Sequence, residues 1–438
     1  MRPLPTGTQG IGPGLVVASA QHPRERPTLL FLSHRLPYPP HNGAAVRTLN
    51  ILRLLAGHFH IVGLCFDRRD PAIRCLSVEE RLTGLAPYGR FRVYPIPQDE
   101  SRMRFLWDHL RSVLANRAYT AYLHDSKSYD SALADTLKSE RIDLVHMDSM
   151  DLVRFLPRLA TLPVVCTHHN VESGLLLRRA RAERNPLRRA YLAFQAQRLR
   201  KEEQYWLPRV ALNIAVSDQD RAEFERIAPG ARVATLPNGV DTEMFRPEPG
   251  PRSGCVFVGG TTWFPNRDAL EWFVQAILPI FRQLEPETPV VWVGRATEEE
   301  RRRLQRLPGF QLTGYVDDIR PYVHRAACFI APLRVGGGTR LKILDAWAMG
   351  KAVVSTPIGC EGLAAAHGEN ILLATTPQEF AEAMARVVRD PGLAERLGTA
   401  ARRTVERLYS WEVLGERLRE LYLPLVRSRQ VVADGSAG

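Results

Sequence analysis

ACFIAPLRVGGGTRLKILDAWAMGK, residues 327–351, decides how this chain is read. It opens with a short apolar run, passes through three consecutive glycines, and continues with helical spacing to Gly350, a stop signal for a helix. A buried strand, a glycine loop and a helix in that order form the unit of a parallel α/β sheet. The glycines let backbone N–H groups approach a ligand, and the helix N-terminus adds partial positive charge, so the loop reads as an anion site. Arg340 and Lys342 oppose the usual preference for acids in a first helical turn. A bound phosphate would remove that conflict. The plainer reading is a glycine turn with a Lys342–Asp345 surface ion pair one turn apart.

Working outward, the same alternation fills the chain. TLLFLSH (28–34), HIVGLCF (60–66), FRVYPIP (91–97), IDLVHMD (142–148), LPVVCTHH (162–169), ALNIAVSD (211–218) and RVATLPNG (232–239) are strand candidates in the first half. GCVFVGG (254–260), PVVWVGR (289–295), FQLTGYV (310–316), ACFIAPL (327–333), KAVVSTP (351–357) and NILLA (370–374) follow in the second. RDALEWFVQAILPIFRQL (267–284) reads as one helix, and residues 376–425 as mostly helical. The fold class is therefore α/β, with two doubly wound Rossmann-like domains facing each other across a cleft. The expected boundaries are a disordered leader at 1–27, a first domain at 28–236, a Pro/Gly-rich linker at 237–254, a second domain at 255–425 and a flexible tail at 426–438. In such sheets ligands bind beyond the carboxyl ends of the strands.

Composition narrows the class. The 438 residues are 45% hydrophobic and 24% charged, with net charge +12 and a pI near 9.7. That balance suits an anionic partner without choosing one. Six scattered cysteines with no C-x-x-C pair read as reduced core residues of a cytosolic protein. No apolar run approaches the roughly 18 residues of a membrane span. RRARAERNPLRRAYLAFQAQRLRK (178–201) holds nine Lys/Arg and one acid, either a solvated arginine-rich helix or a basic face for an anionic membrane. No nucleic-acid recognition module is present, and aromatics are not interleaved with the cations.

The segment APLRVGGGTRLKILDAWAMGKAVVSTPIGCEGL resembles the donor-site signature of retaining glycosyltransferases of the GT-B fold, family 4 (glycosyl transferase group 1). VFVGGTTWFPNRDAL, GYVDDIRPYVHRA, AVSDQD, LPNGVD and the late YSW extend the resemblance from about residue 28 to 425. PYPPHNGAAVRT is similar to the first loop of exopolysaccharide-cluster sugar transferases. The resemblance implies a metal-independent, hexosyltransferase-like enzyme with a nucleotide-sugar donor as substrate rather than cofactor. It also implies a glycan or lipid-linked acceptor, and a cytoplasmic place, peripheral on the inner face of the membrane. Cleft closure would exclude water.

Donor contacts are expected from Gly260, Tyr315, Val316, Gly336, Gly337, Gly338, Thr339, Leu341 and Asp345, with Arg340 and Lys342 stabilising the leaving diphosphate. The family's Glu-x7-Glu pattern falls here on Gly337 and Asp345. Its common Arg and Lys after the first strand of this domain fall on Gly260 and Asn266, which assigns diphosphate neutralisation to Arg340 and Lys342. On the acceptor side stand Gly43, Arg47, Asn170 and Glu172, with His169 in the acid–base or sugar-contacting place and His168 structural. Arg47 would touch a phosphate or be solvated. Ser217 reads as a helix cap; in GYVDDI either Tyr315 and Val316 pack on the nucleotide base or Asp317 caps the next helix. Two readings stand beside the transferase: another GT-B enzyme such as a nucleotide-sugar epimerase, and a non-catalytic nucleotide-binding protein of the same fold.

Overall fold

The structure is a computed structural model that describes residues 26–68, 76–336 and 340–435. It divides into two compact units. The first holds residues up to 215, 220–234 and 418 onward; the second holds 216–219 and 235–417.

In the first unit seven strands form one parallel sheet: β1 Thr28–Ser33, β2 His60–Asp67, β3 Arg90–Pro95, β4 Leu144–Met147, β5 Val164–Thr167, β6 Leu212–Ala215 and β7 Val233–Thr235, ordered β3-β2-β1-β4-β5-β6-β7. In the second, six do so: β8 Cys255–Val258, β9 Val290–Val293, β10 Phe310–Gly314, β11 Cys328–Ala331, β12 Ala352–Ser355 and β13 Leu372–Leu373, ordered β10-β9-β8-β11-β12-β13. Every strand expected from an apolar run is present. Their continuous apolar character follows from burial on both faces: Leu29 through Leu32 are fully buried, as are Val353 and Val354. Trp292 stacks on Phe257 and anchors the second core.

Strand order reverses between β1 and β4 in the first sheet and between β8 and β11 in the second. At such switch points adjacent loops leave in opposite directions and open a crevice. Four loops thus gain importance: those after Ser33, Met147, Val258 and Ala331.

Some boundaries differ from expectation. The segment 237–254 is not a free linker, because Val240 pairs with Ser410 inside the second unit, which starts by Thr235. Nor does the second domain end at 425 with a flexible tail from 426. The last helix runs Trp411–Gly435, and from Leu418 onward it groups with the first unit, where Tyr422 is fully buried. The helix expected at 267–284 is three pieces: Phe264–Trp272, a π turn at Phe273–Ile277, and Leu278–Leu284. Pro279, which has no N–H to give, sits where the wider turn ends. The expected leader, except for its last two residues, lies outside the described residues.

Candidate active site

The second unit's switch point is built from two loops. After β8 the chain turns through Gly259, at φ +152, and Gly260. A Cβ on Gly259 would meet the side-chain amide of Asn266 at 2.6 Å and the Lys342 ammonium at 2.7 Å. Gly294 needs the same economy, because its Cβ would meet the Gly259 and Gly260 backbone at 2.6 Å. Asn266, in the first turn of Phe264–Trp272, donates to the Gly260 carbonyl at 2.9 Å and accepts from Lys342 Nζ at 2.8 Å. The ammonium also lies 4.1 Å from the Phe257 ring centroid. Burial, with Arg340 adding to it, pulls the Lys342 pKa down to about 7.

After β11 the loop reaches Gly336 at φ +133. Gly337, Gly338 and Thr339 lie outside the described residues. The helix then runs Leu341–Ala348, with Arg340 as its N-terminal flank. Arg340 is 8% exposed, and its guanidinium packs on Gly336, where a Cβ would come within 2.7 Å. Leu341 is the first helical residue and is half-buried. Met349 caps the end and Gly350 takes φ +65, the expected stop.

The plainer reading of this helix does not hold. Lys342 turns to Asn266, and no Lys342–Asp345 ion pair forms. The Asp345 carboxyl has no hydrogen bond or ion pair among the described residues, and burial pushes its pKa up to about 7. A desolvated carboxyl without a partner is costly, and a ligand's hydroxyl groups would relieve it. Tyr315 is 64% exposed, with the Arg295 guanidinium 4.7 Å from its ring centroid, and Val316 is half-buried beside it. The expected cap was Asp317, but the helix Arg320–Arg325 has Ile319 at its N-cap, with Asp318 accepting from Arg320 N at 2.9 Å.

The first unit's switch point centres on a residue the sequence reading passed over. Asp148, just past β4, is fully buried. Its carboxylate accepts from Thr48 Oγ1 at 2.9 and 3.0 Å and from Ser33 Oγ at 3.1 Å. His169 Nε2 faces it at 3.6 Å and His146 Nε2 at 4.0 Å. Burial by itself would raise the Asp148 pKa, but His146, His169 and His34 hold it well below the usual carboxylate range. His146 stacks on Phe31 and meets Tyr422 Oη through Nδ1 at 2.7 Å; burial lowers its pKa.

His34, Asp148 and His169 place their ligating atoms within 4.8 Å of one another, a spacing a cation would accept. Their hydrogen bonding points elsewhere. His34 Nδ1 donates to the Asp148 carbonyl at 3.1 Å, and Arg35 Nε donates to His34 Nε2 at 2.9 Å. With both ring nitrogens engaged, His34 has no lone pair to offer a metal.

Of the expected acceptor residues, His169 stands at this carboxyl edge and is half-buried. Asn170 donates to Glu172 at 3.1 Å, and Glu172 opens the helix Glu172–Ala182, its pKa raised by burial. His168 is structural as expected: its ring meets Asn213 Oδ1 at 3.0 Å, and burial lowers its pKa to about 4. Gly43 begins the helix Gly43–Ala56, capped by Asn42 through Ala45 N. Arg47 is corrected. It is not solvated, because it is 1% exposed. Burial lowers its pKa to about 10, opposed by the charge of Asp148. Missed were His34, Asp148 and Thr48, while Asn266 was named but given no role. His34 and Asp148 end two of the quoted strand runs, so the carboxyl-edge rule applied at the strand-order reversal would have found them.

Two parallel sheets covered by helices, each with its own strand-order reversal, define a protein of two Rossmann-like units. Residues 252–390 match the family described as "Glycosyl transferases group 1", and residues 117–244 match "Glycosyltransferase Family 4". A 44.6 kDa protein in the cps region of Klebsiella pneumoniae is 30% identical over 135 residues, 29% of this chain and 35% of that protein, so the match spans about a third of the relative. Glycogen synthase of Mycobacterium tuberculosis is 24% identical over 315 residues, 67% of this chain and 72% of the relative. Among solved structures, sucrose-phosphate synthase from Thermosynechococcus elongatus superposes with a TM-score of 0.66 at 18% identity, over 92% of this chain and all of that one. Anabaena HepE in complex with UDP gives 0.63 at 15%, over 90% and 99%. At such identities the structural likeness is one of fold. The chain belongs to the group 1 glycosyltransferases and has the GT-B fold.

Proposed function

We propose that the protein is a retaining glycosyltransferase that moves a sugar from a nucleotide-sugar donor to a glycan or lipid-linked saccharide during polysaccharide synthesis. The observation that carries this reading is the second unit's switch point. There Gly259, Gly336, Asn266, Arg340 and Lys342 meet at a helix start, and Asp345 in the same helix has a carboxyl without a partner among the described residues. HepE, similar in fold, has been solved with UDP-glucose, which favours a uridine donor as the first probe.

The chemistry follows from the charges. Breaking the bond between sugar and diphosphate leaves negative charge on the leaving oxygen. Arg340, Lys342 and the glycine-loop amides stabilise that charge where it develops, and no metal is needed for this. Lys342, discharged by burial near neutral pH, regains its proton as the diphosphate arrives. Asn266 holds the ammonium in place, which is why an asparagine serves where relatives commonly carry a cation. Asp345 accepts hydrogen bonds from ribose or sugar hydroxyls. His169, oriented by Asp148, contacts the sugar or the acceptor. The cps-region relative is consistent with a polysaccharide role.

Thermal unfolding with UDP, GDP, ADP and their sugar conjugates tests the reading. One nucleotide should raise the midpoint, and Arg340→Ala should abolish that rise while leaving the unliganded midpoint within a few degrees. No shift with any nucleotide in folded protein would sink the transferase assignment. Conversion of donor without acceptor would favour an epimerase.

A further inference from the structure

The helix Arg102–Leu114 is inside out. Its polar residues Asp108 and Ser112 are fully buried, while Met103, Leu106, Trp107, Leu110 and Leu114 stand 50–75% exposed. Positions 103, 106, 107, 110 and 114 fall on one helical face, so the exposed side is a continuous apolar stripe. Val113 widens it. A soluble helix ordinarily turns such a stripe to the core.

Hydrogen bonds on the polar side fix this orientation. Gln98 Nε2 donates to Asp108 at 2.7 Å, and Arg104 Nε at 2.8 Å. Gln195 Nε2 donates to Ser112 Oγ at 2.9 Å, and His109 meets Tyr191. Rolling the stripe inward would break the bonds to Gln98, Gln195 and Tyr191 and leave those groups without partners. The stripe therefore stays outside.

The element beside it is basic. The pairs His109–Tyr191 and Arg117–Glu202 advance together, so Arg102–Leu114 runs in the same direction as the helix Pro186–Trp206. The start of the apolar stripe thus lies at the same end as the turn between Glu172–Ala182 and Pro186–Trp206. That turn and its flanks carry Arg178, Arg179, Arg181, Arg184, Arg188 and Arg189, all exposed, against the single acid Glu183. Exposed Leu187 lies among them, and Arg102 opens the apolar helix itself.

We propose that this face docks on an anionic phospholipid bilayer, with the Arg102–Leu114 stripe in the headgroup–acyl boundary and the arginine turn on lipid phosphates. Apolar area and cations on one face are the two requirements of an interfacial helix, and Trp107 suits the boundary depth. A second copy in a parallel two-fold contact through the stripe would bring like arginine clusters toward each other. Docking deepens the proposed function, since a lipid-linked acceptor would be met there, but it does not depend on transfer chemistry. It also moves the membrane contact. The basic strip 178–201 is a helical hairpin that supplies charge, and the apolar anchor comes from a different helix.

The test is co-sedimentation of the full chain with phosphatidylcholine vesicles and with vesicles that also contain phosphatidylglycerol. The wild type should bind the mixed vesicles and release them as salt rises. The double variant Leu106→Ser/Trp107→Ser should lose at least about tenfold in binding, and so should Arg184→Ser/Arg188→Ser. Both variants should keep the nucleotide-induced thermal shift. Vesicle binding without any nucleotide shift would fail the transferase reading alone. Wild-type protein that ignores mixed vesicles, or variants that bind like wild type, would overturn the docking. So would a wild-type dimer in sedimentation velocity that Leu106→Ser/Trp107→Ser disperses without changing vesicle binding.

Discussion

The two switch points present opposite solutions to the same topology. At the first, Asp148 is surrounded by donors: Thr48 and Ser33 hydrogen-bond it, and His146 and His169 face it. At the second, Lys342 shares one asparagine and Asp345 has no partner among the described residues. A satisfied buried charge rigidifies what surrounds it, whereas a charge left short of partners is held ready for a ligand. By this contrast the first crevice holds its residues in place and the second reads as the place where an anion binds.

The largest effect expected from the contrast is on stability at the first crevice. Asp148→Asn should cost about 3 kcal/mol in denaturant unfolding, because the donors around it lose their charged acceptor inside the protein. Nucleotide affinity, measured on the folded fraction, should change little. A variant as stable as wild type would break the view of Asp148 as a hub. The pH dependence has a definite sign. A carboxylate held below its unfolded value near 3.9 adds stability above that value and loses it as pH falls. Asp148→Asn should therefore flatten the acid limb.

The next effect belongs to Lys342. With a pKa near 7 in the free protein, it is mostly neutral at pH 8. A bound diphosphate favours the ammonium, so binding at pH 8 should take up a proton. Calorimetry in buffers of different ionisation enthalpy reads this directly. Affinity should fall as pH rises above 7, and Lys342→Met should weaken binding about tenfold and remove both the slope and the proton uptake. Proton uptake unchanged in Lys342→Met would place the titrating group elsewhere.

The smallest effect is at Asp345. Its pKa is raised to about 7, so the stability it contributes is present below the unfolded value near 3.9 and is lost as pH rises to 7. Asp345→Asn should remove that decline, leaving the protein at least as stable as wild type at pH 8. It should weaken donor binding only several-fold, since an amide oxygen still accepts from hydroxyls. A destabilised Asn variant would mean that the carboxylate has a structural partner.

Much of this was legible in the sequence because the signals are local. Thirteen apolar runs became thirteen strands, since a strand buried on both faces must be apolar throughout. The helix stop at Gly350 also follows from near neighbours. The less legible features depend on distance along the chain. Arg47 looks like a surface cation until Asp148, 101 residues away, is seen to share its interior. Lys342 looks paired to Asp345 until β8 brings Asn266 beside it.

The Arg102–Leu114 helix shows the limit most clearly. Its apolar period is plain in the letters, and by period alone such a stripe faces a core. Periodicity fixes which residues share a face but not what that face meets. Here Gln98, Tyr191 and Gln195 claim the polar side, and the apolar side is left to solvent. The sequence by itself determined the strands, the order of helices and the chemistry available in each loop, because those rest on backbone and burial rules a few residues long. Only the tertiary structure decided which charges are satisfied, which wait for a ligand and which way an amphipathic helix turns, because those depend on partners brought together by sheet order.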